Sequence, residues 1–262
     1  MASSLIKGLI ASGHPPEHIY VSDIDNEKLQ ILKSNLNINI SQNNDQIIHE
    51  SDVVVLSVKP QTLRSIAVKS ASTIQQKKPL VVSIAAGINQ DSLAKWLGMN
   101  CAIVRCMPNT PALVQTGATA LHANINVSET QRDLAENILR SVGLALWVED
   151  ENLMDAVTAV SGSGPAYFFL LMEAMEKIAM ELGLSEHTAR LLIQQTALGA
   201  AKIALESARS PEQLRKEVTS PGGTTQQAIA TFEEGNFMNL VSDALRAARD
   251  RSIEISRQLG GE

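Results

Sequence analysis

Apolar residues in the first 150 positions fall into short continuous runs, and segments with helical spacing of apolar positions separate these runs. Continuous runs of strand length are typical of strands buried on both faces, because a half-exposed strand would alternate apolar and polar residues. The pattern therefore predicts an α/β domain with a Rossmann-like parallel sheet over residues 1–150. The apolar runs and the clearest helical segments are HIYVSD (18–23), SDVVVLSVKP (51–60), PLVVSIAAG (79–87), CAIVRCMPNTP (101–111), NEKLQILKS (26–34) and DSLAKWLG (91–98).

The strand pattern stops near residue 150, and residues 151–262 show successive helical segments. One predicted helix has Pro165 in its first turn and Gly183 as its stop, and the next begins after Ser185 as N-cap. This second helix, up to Ser207, is apolar and rich in small residues almost all round, so a single buried face does not account for it. We expect an all-α domain that dimerises through this helix.

The composition excludes several classes of protein. The chain has 262 residues, 44% hydrophobic and 19% charged, with a formal net charge of −6, which is too acidic for a general nucleic-acid binder. No apolar run approaches the roughly 20 residues of a membrane span, and the N-terminus does not resemble a signal peptide. We expect a cytoplasmic protein without nucleic-acid, membrane or metal partners. Cys101 and Cys106 lie beside an apolar run and are predicted to be reduced packing residues, because no second Cys or His pair at zinc spacing accompanies them.

Candidate ligand-binding residues follow the predicted strands. A doubly wound sheet binds its ligand beyond the carboxyl ends of its strands, where VSD, SVKP, SIAAG and CMPNTP occur. Lys59, held extended by Pro60, can reach phosphate or ribose, and Ala85–Gly87 leave room for a cofactor close to the backbone. Each motif alone also fits an ordinary loop. Their occurrence in order favours one cofactor crevice.

The segment VSGSGPAY (160–167) and the histidines suggest no catalytic centre. The segment fits a simple helix start, differs from the nucleophile elbow G-x-S-x-G, and has no nearby His to activate Ser161 or Ser163. The histidines are scattered over predicted loops and polar surfaces, so we interpret them as structurally neutral. They are His14, His18, His49, His122 and His187.

The segment TSPGGTT (219–225) precedes a predicted helix and is the local motif that indicates a ligand site most specifically. Pro221 stiffens the approach, while Gly222 and Gly223 let the backbone turn so that the first helical amides point outward. Such amides bind an anion, supported by the helix dipole. The alternative is an interhelical turn capped by Thr224 or Thr225, which gives no reason for two adjacent glycines. We favour the anion site.

An ordered set of motifs resembles the pyrroline-5-carboxylate reductase family over nearly the whole chain. This resemblance implies a dinucleotide-binding domain followed by a helical domain that interlocks two subunits, commonly assembled into a decamer of five dimers. It also implies reduction of 1-pyrroline-5-carboxylate to L-proline by hydride transfer from NADPH or NADH, the last step of proline biosynthesis. The motifs are SDVVVLSVKP, VVSIAAGI, RCMPNTPALV, GATAL, DAVTAVSGSGPAYFF, LGAAKIALES and VTSPGGTT.

The resemblance also implies residue roles. Thr225 would be the catalytic residue, meeting the ring nitrogen of the substrate. The implied cofactor-binding residues are Ser22, Asp23, Asn44, Ser57, Val58, Lys59, Pro60, Ala85, Ala86, Gly87, Met107, Asn109 and Thr110. The implied substrate-binding residues are Glu151, Ser220, Gly222, Gly223, Thr224 and Thr225.

Two departures from the family pattern affect the cofactor. The family opens with a strand and a turn of the form G-x-G-N-M, and this chain starts at what resembles that Met, so we expect either a start assigned too late or a truncation. A chain beginning at Met1 is expected to bind dinucleotide poorly, and a truncated, non-catalytic oligomeric relative is the alternative function. Asp23 stands where NADPH-preferring members have small polar or basic residues, which makes NADH use an open alternative.

The implied chemistry agrees with the catalytic groups in the sequence. Reduction of a cyclic imine requires a hydride on carbon and a proton on nitrogen, so positioning carries most of the rate. The β-hydroxyacid dehydrogenases, which share the two-domain plan, use a helix lysine as base. The predicted helix that starts in VSGSGPAY contains one lysine, Lys177, near its far end. Instead, the amides after Pro221 would bind the substrate carboxylate.

Overall fold

The computed structural model describes residues 1–260 and divides into two compact units. One unit comprises Met1–Ser163 with the C-terminal segment from Ala247, and the other comprises Gly164–Arg246. The division after Ser163 lies within the VSGSGP motif, so this motif joins the two units. The helices are α1 (Ala2–Ala11), α2 (Asn26–Leu36), α3 (Asn44–Glu50), α4 (Pro60–Lys77), α5 (Gln90–Leu97), α6 (Glu129–Arg140), α7 (Leu153–Val157), α8 (Gly164–Glu181), α9 (Glu186–Glu206), α10 (Pro211–Glu217), α11 (Thr224–Glu234) and α12 (Phe237–Gly260).

The strands of the first unit form two sheets. The smaller sheet pairs β1 with β2 in parallel, and the larger has the strand order β3-β4-β5-β6-β7. Strands β3, β4 and β5 are mutually parallel, as the continuous apolar runs predict. The strands are β1 (Tyr20–Ser22), β2 (Asn39–Ser41), β3 (Val53–Leu56), β4 (Leu80–Ser83), β5 (Ile103–Met107), β6 (Gly117–Ala123) and β7 (Gly143–Trp147).

Strand β6 reverses direction within the larger sheet. It runs antiparallel to β5, with Arg105 opposite His122, and β7 then runs parallel to β6. The connection from Met107 to Gly117 contains only a 3-10 turn at Thr110–Val114. A parallel crossover needs a connection of about a dozen residues or more, so this link returns the chain antiparallel. The predicted parallel sheet therefore carries an antiparallel strand beside β5.

Helix α1 packs against the strands of both sheets through adjacent residues. Leu5 belongs to a buried cluster with residues of β4, β5 and β6, whereas Ile6 packs with Ile19 and Ile38 beside the smaller sheet. The two sheets share no hydrogen-bonded strand pair in the described chain. Side-chain packing around α1 consequently connects the smaller sheet to the larger one.

The second unit is helical, as predicted. Gly183 ends the turn after α8 with φ +100°, and the Ser185 side chain accepts a hydrogen bond from the Thr188 amide at 3.2 Å, which confirms both helix boundaries. Many large apolar side chains of α8 and α9 remain exposed in the single chain, among them Phe168, Leu198 and Leu205. Across residues 1–260, no helix combines the length and apolarity that crossing a membrane requires.

Candidate functional site

Polar residues meet at the carboxyl end of β1. The Ser22 hydroxyl donates to Asn44 Oδ1 at 2.7 Å, which joins two predicted cofactor residues that lie 22 positions apart in sequence. The Asp23 carboxylate accepts from the Asp25 amide at 3.0 Å. Thr73 of α4 donates to Asp45 Oδ1 at 2.7 Å, so α4 anchors the start of α3 next to this corner. This arrangement presents one carboxylate and a hydroxyl–amide pair at the strand end.

The turn from β3 to α4 has the geometry that its sequence predicts. Lys59 is extended, with φ −59° and ψ 139°, and is the N-cap of α4, with Pro60 at the first helical position. Strand β3 ends at Leu56, which leaves the segment Ser57–Lys59 to connect the sheet to the helix. Because β3, β4 and β5 are parallel neighbours, the segments after all three lie along the same sheet edge.

Gly87 follows β4 and is constrained by the C-terminal helix. Its φ is +74°, and a Cβ atom built there would lie 2.6 Å from Cγ2 of Ile255 on α12. A side chain at this position would thus meet both an unfavourable backbone conformation and a steric overlap. The small residues of the SIAAG motif therefore accommodate a helix as well as the predicted cofactor, which the sequence pattern did not reveal.

Asn109 links the segment after β5 to two other parts of the first unit. Its Nδ2 donates to the carbonyl oxygen of Ser161 at 3.1 Å, and its Oδ1 accepts from the Ala118 amide at 2.9 Å. Met107 lies against Gly162, since a Cβ atom at Gly162 would be 2.5 Å from the Met107 Cε methyl. The predicted nicotinamide-side segment Met107–Thr110 is thus held by the VSGSGP motif.

A buried ionic and amide network adjoins this segment, and of its members only Glu151 was among the predicted site residues. Arg105 Nη1 lies 2.8 Å from Glu151 Oε1, and the same oxygen accepts from the Gln90 amide at 2.8 Å. The Gln90 side-chain amide donates to the carbonyls of Ile103 and His122. Its Oε1 therefore accepts from His122 Nδ1, 3.0 Å away, which gives His122 a structural partner. The available sequence signal was a single arginine, Arg105, inside an apolar run of strand length.

The start of α1 has features suited to an anion. The Ser4 hydroxyl is buried and has no hydrogen-bond partner within residues 1–260. Met1 accepts hydrogen bonds from the amides of Ser4 and Leu5, which leaves the first two helical amides, those of Ala2 and Ser3, at the helix N-terminus. Free helical amides and an orphaned hydroxyl are groups of the type that bind the phosphates of a dinucleotide. Ser4 was not among the predicted site residues.

In the helical unit, the TSPGGTT loop leads into α11 through its glycines. Gly222 has φ +72° and its amide donates to Gln226 Oε1 at 2.6 Å, while Gly223 is extended and is the N-cap. The alternative of Thr224 or Thr225 as N-cap is wrong, because the helix begins at Thr224 without a side-chain cap. The amides of Thr224 and Thr225 have no hydrogen-bond partner among the described residues. This is the arrangement expected of an anion site.

The cysteines are packing residues, as predicted. Cys101 and Cys106 are both free and buried, and burial raises the pKa of each thiol, which opposes thiolate formation. Within residues 1–260, no group of three or more His, Cys, Asp or Glu side chains has a geometry suited to a metal ion.

Two family models match the chain. The model described as pyrroline-5-carboxylate reductase dimerisation matches residues 151–255, and one described as NADP oxidoreductase coenzyme F420-dependent matches residues 1–87. These matches fall on the predicted helical and dinucleotide-binding parts respectively.

Similar proteins cover nearly the whole chain. A pyrroline-5-carboxylate reductase of Pseudomonas aeruginosa is 50% identical over 260 residues, which cover 99% of this chain and 95% of the relative. A solved pyrroline-5-carboxylate reductase structure from Coxiella burnetii is 46% identical, with a TM-score of 0.94 over 98% of this chain and 95% of that one. A Plasmodium falciparum pyrroline carboxylate reductase structure with NADP bound is 28% identical, with a TM-score of 0.86 over 97% and 94%.

Proposed function

The chain belongs to the pyrroline-5-carboxylate reductase family, and we propose how its own residues perform the family reaction. The protein is an NAD(P)H-dependent oxidoreductase that reduces 1-pyrroline-5-carboxylate to L-proline in proline biosynthesis. The observation that carries this conclusion is 50% identity over 99% of the chain. The non-catalytic alternative is not favoured, because the similarity to reductases includes both the strand ends and the TSPGGTT loop.

The first unit is proposed to bind the dinucleotide, which supplies the hydride when bound. Ser22, Asp23 and Asn44 would hold the adenosine ribose, since a carboxylate and hydroxyl at that strand end accept from or donate to ribose hydroxyls. Asp23 would favour NADH, because a 2′-phosphate would be repelled by its charge. The start of α1 with Ser4 supports binding of the phosphates.

The remaining cofactor-binding residues are proposed to contact the dinucleotide because of where they lie along the sheet edge. The turn Ser57–Pro60 and the segment Ala85–Gly87 lie at the edge where a dinucleotide crosses a parallel sheet. Met107–Thr110 would lie near the nicotinamide, with Asn109 fixing the segment through its two protein hydrogen bonds. These placements support a cofactor that crosses the ends of β3, β4 and β5.

The TSPGGTT loop is proposed to bind the substrate carboxylate. The unpaired amides at the start of α11 and the neighbouring Ser220 hydroxyl are donors of the type that recognise a carboxylate. Gly222 and Gly223 give those amides access without side-chain obstruction. Glu151 is proposed to support the substrate side, with its Oε1 already held by Arg105 and Gln90.

Thr225 is proposed as the catalytic residue. Its hydroxyl would donate to or accept from the ring nitrogen, which takes up a proton as the imine carbon is reduced. A hydroxyl suffices for this role, because the reaction forms an amine rather than removing a proton from an alcohol. Positioning of the imine carbon therefore supplies most of the rate enhancement.

We further propose a cytoplasmic homodimer through the helical unit, with five dimers forming a decamer. The matching dimerisation model covers residues 151–255, and exposed apolar side chains on α8 and α9 would be buried by a second copy. Phe168, Phe169, Leu191, Leu192 and Leu198 contribute to this surface.

The direct test is a coupled measurement of oxidation and product. Purified protein is incubated with 1-pyrroline-5-carboxylate and either NADPH or NADH, while absorbance at the nicotinamide band is followed and L-proline is quantified. We expect one proline per dinucleotide oxidised. Dinucleotide oxidation without proline, or binding without oxidation, would contradict the proposed reaction. The ratio of kcat/KM for the two dinucleotides tests the role of Asp23.

A further inference from the structure

The VSGSGP motif forms a π-helical turn at Thr158–Gly162, directly before α8. The Ser163 amide donates to the carbonyl of Thr158 at 2.8 Å, five residues back, which is the hydrogen bond of a π-helix. Such turns are rare within helices and widen the backbone locally, so the sequence requires a specific reason for one here.

Pro165 explains why one carbonyl of this turn is available. In a continuous α-helix the Ser161 carbonyl would accept from the amide of residue 165, but proline has no N–H. The Asn109 side chain donates to this carbonyl instead, at 3.1 Å. Asn109 is partly buried, so the bond satisfies an acceptor that the motif itself leaves unpaired.

The side-chain oxygen of Asn109 attaches the segment after β5 to β6. Its Oδ1 accepts from the Ala118 amide at 2.9 Å, near the start of β6. One side chain thus joins the π-helical turn, the Met107–Thr110 segment and β6. Because both ends of the amide bond to protein, Asn109 acts on its own segment rather than primarily on a ligand.

Gly162 provides the second contact between the turn and this segment. A Cβ atom at Gly162 would lie 2.5 Å from Met107 Cε and 3.7 Å from Met107 Cγ. The Met107 side chain therefore occupies the space that a side chain at residue 162 would fill. Since Cε is the flexible end of Met107, an alanine at 162 would displace the methyl group while leaving the backbone room to keep its fold.

We propose that the π-helical turn Thr158–Gly162 is a positioning element for the reductase reaction, acting on the Met107–Thr110 segment through Asn109 and Met107. This inference rests on the proposed function, in which that segment lies near the nicotinamide. A displacement of about 1 Å at a positioning group is enough to lower a rate by orders of magnitude, so the two contacts matter for hydride transfer.

The experiment compares Gly162→Ala and Asn109→Asp with the control Gly164→Ala. An added Cβ at Gly164 meets no atom within 4 Å, so this control changes the same motif without touching Met107. Asn109→Asp keeps an oxygen for the Ala118 amide and loses the donor to Ser161. Each protein is labelled with ¹³C at the methionine methyl groups, and Met107→Leu identifies the Met107 resonance.

We expect the Met107 resonance to shift in Gly162→Ala and Asn109→Asp without nucleotide present, and to stay in place in the control. Calorimetric titration with NADH and NADPH should show weaker binding or altered enthalpy in the same two variants. Their kcat/KM for the dinucleotide should fall about tenfold, with a larger primary isotope effect from C4-deuterated dinucleotide. The melting temperature of Gly162→Ala should match the control, whereas that of Asn109→Asp should be lower, because the Ser161 carbonyl loses its donor.

Two results would overturn the positioning role. One is a shifted Met107 resonance with unchanged dinucleotide binding and isotope effect, since the contact would then be packing alone. The other is a kinetic loss that parallels a lowered melting temperature and is shared by the control. If the unaltered protein binds dinucleotide but yields no proline, the proposed function fails, whereas the resonance and titration data still decide the positioning role.

Discussion

Arg105 and Glu151, 46 positions apart in sequence, form an ion pair at 2.8 Å between the fifth strand and the segment that leads to the helical unit. The Arg105 side chain is 6% exposed and that of Glu151 is 24% exposed, so water screens the pair less than the surface pairs of this chain. The Gln90 amide donates to the same Glu151 oxygen and ties the start of α5 to it.

Removing the charge of Glu151 should therefore destabilise the protein. Glu151→Gln leaves the Arg105 guanidinium buried without a counterion, and we expect a loss of about 2 kcal/mol in the free energy of unfolding. Chemical denaturation measures this change in the free energy of unfolding. Glu186→Gln, which removes an exposed partner of Arg190, is the matched control and should change stability by less than about 0.5 kcal/mol. Equal effects of the two changes would contradict the importance of burial.

Gly87→Ala should be destabilising for two separable reasons. The position has φ +74° and lies against Ile255, so we expect a cost of about 1 to 3 kcal/mol. Gly13→Ala, with φ +91° and no atom within 4 Å of the added Cβ, isolates the backbone effect. If steric overlap contributes, Ile255→Ala should partly rescue Gly87→Ala in a double-mutant cycle. Additive effects would show that the backbone term alone accounts for the loss.

Thr225→Ala tests the proposed catalytic role. Loss of one hydrogen bond to the reacting ring should lower kcat/KM for 1-pyrroline-5-carboxylate by about tenfold to a hundredfold, the equivalent of about 1.5 to 3 kcal/mol. Steady-state kinetics and a thermal melt are measured together. The matched control is Thr231→Ala, which should leave kinetics unchanged, because the Thr231 hydroxyl donates to the Gln227 carbonyl in the same helix. A lowered melt with normal kinetics in Thr225→Ala would assign the residue to the helix start alone.

Asp25 should give the first unit a pH-dependent contribution to stability. The backbone amide of Lys28 donates a hydrogen bond to the Asp25 carboxylate, and this bond lowers the pKa of Asp25 below its ordinary value of 3.8. Desolvation opposes this shift, and the Lys28 ammonium group adds to it. A lowered folded-state pKa stabilises the protein above that ordinary value, and this contribution is lost as the pH falls through the folded-state pKa.

The comparison that isolates this effect is Asp25→Asn. Asparagine keeps a side-chain acceptor for the start of α2 but has no titrating carboxyl. Melting temperatures from pH 2 to 7 should fall less steeply in acid for Asp25→Asn than for the unaltered protein. Parallel curves would contradict the contribution of the Asp25 carboxylate.

Gly199→Leu tests the proposed dimer through α9. An added Cβ at Gly199 meets no atom within 4 Å in the single chain, so a larger side chain should leave the isolated subunit intact. At a packed interface it should cost about 1 to 3 kcal/mol of association free energy. Sedimentation across a concentration series measures the shift toward monomer. A stable monomer of the unaltered protein at micromolar concentration would contradict the proposed dimer.

Local patterns in the sequence were sufficient for most of the secondary structure. The continuous apolar runs identified β3, β4 and β5, because parallel strands are buried on both faces. Ser185 and Gly183 marked helix boundaries, because capping depends on residues close in sequence. The family motifs led to the reductase activity because many of them occur in order along the chain.

Tertiary structure decided which residues support the candidate site. The pairing of Arg105 with Glu151, the contact of Gly87 with Ile255 and the bond from Asn109 to Ser161 each join residues more than 40 positions apart. No periodicity in a single sequence encodes such distances. The direction of β6 followed from a connection too short for a parallel crossover.

In the seven residues of the TSPGGTT loop, too, the sequence determined one part of the structure and folding decided the rest. Its sequence was enough to predict a turn into a helix with exposed amides, because proline and glycine restrict or free the backbone locally. The folded chain decided that Gly222 has the positive φ, that Gly223 is the N-cap and that the threonines lie inside the helix. The Gln226 side chain accepts a hydrogen bond from the Gly222 amide at 2.6 Å, a contact that exists only once the turn and the first turn of the helix have formed.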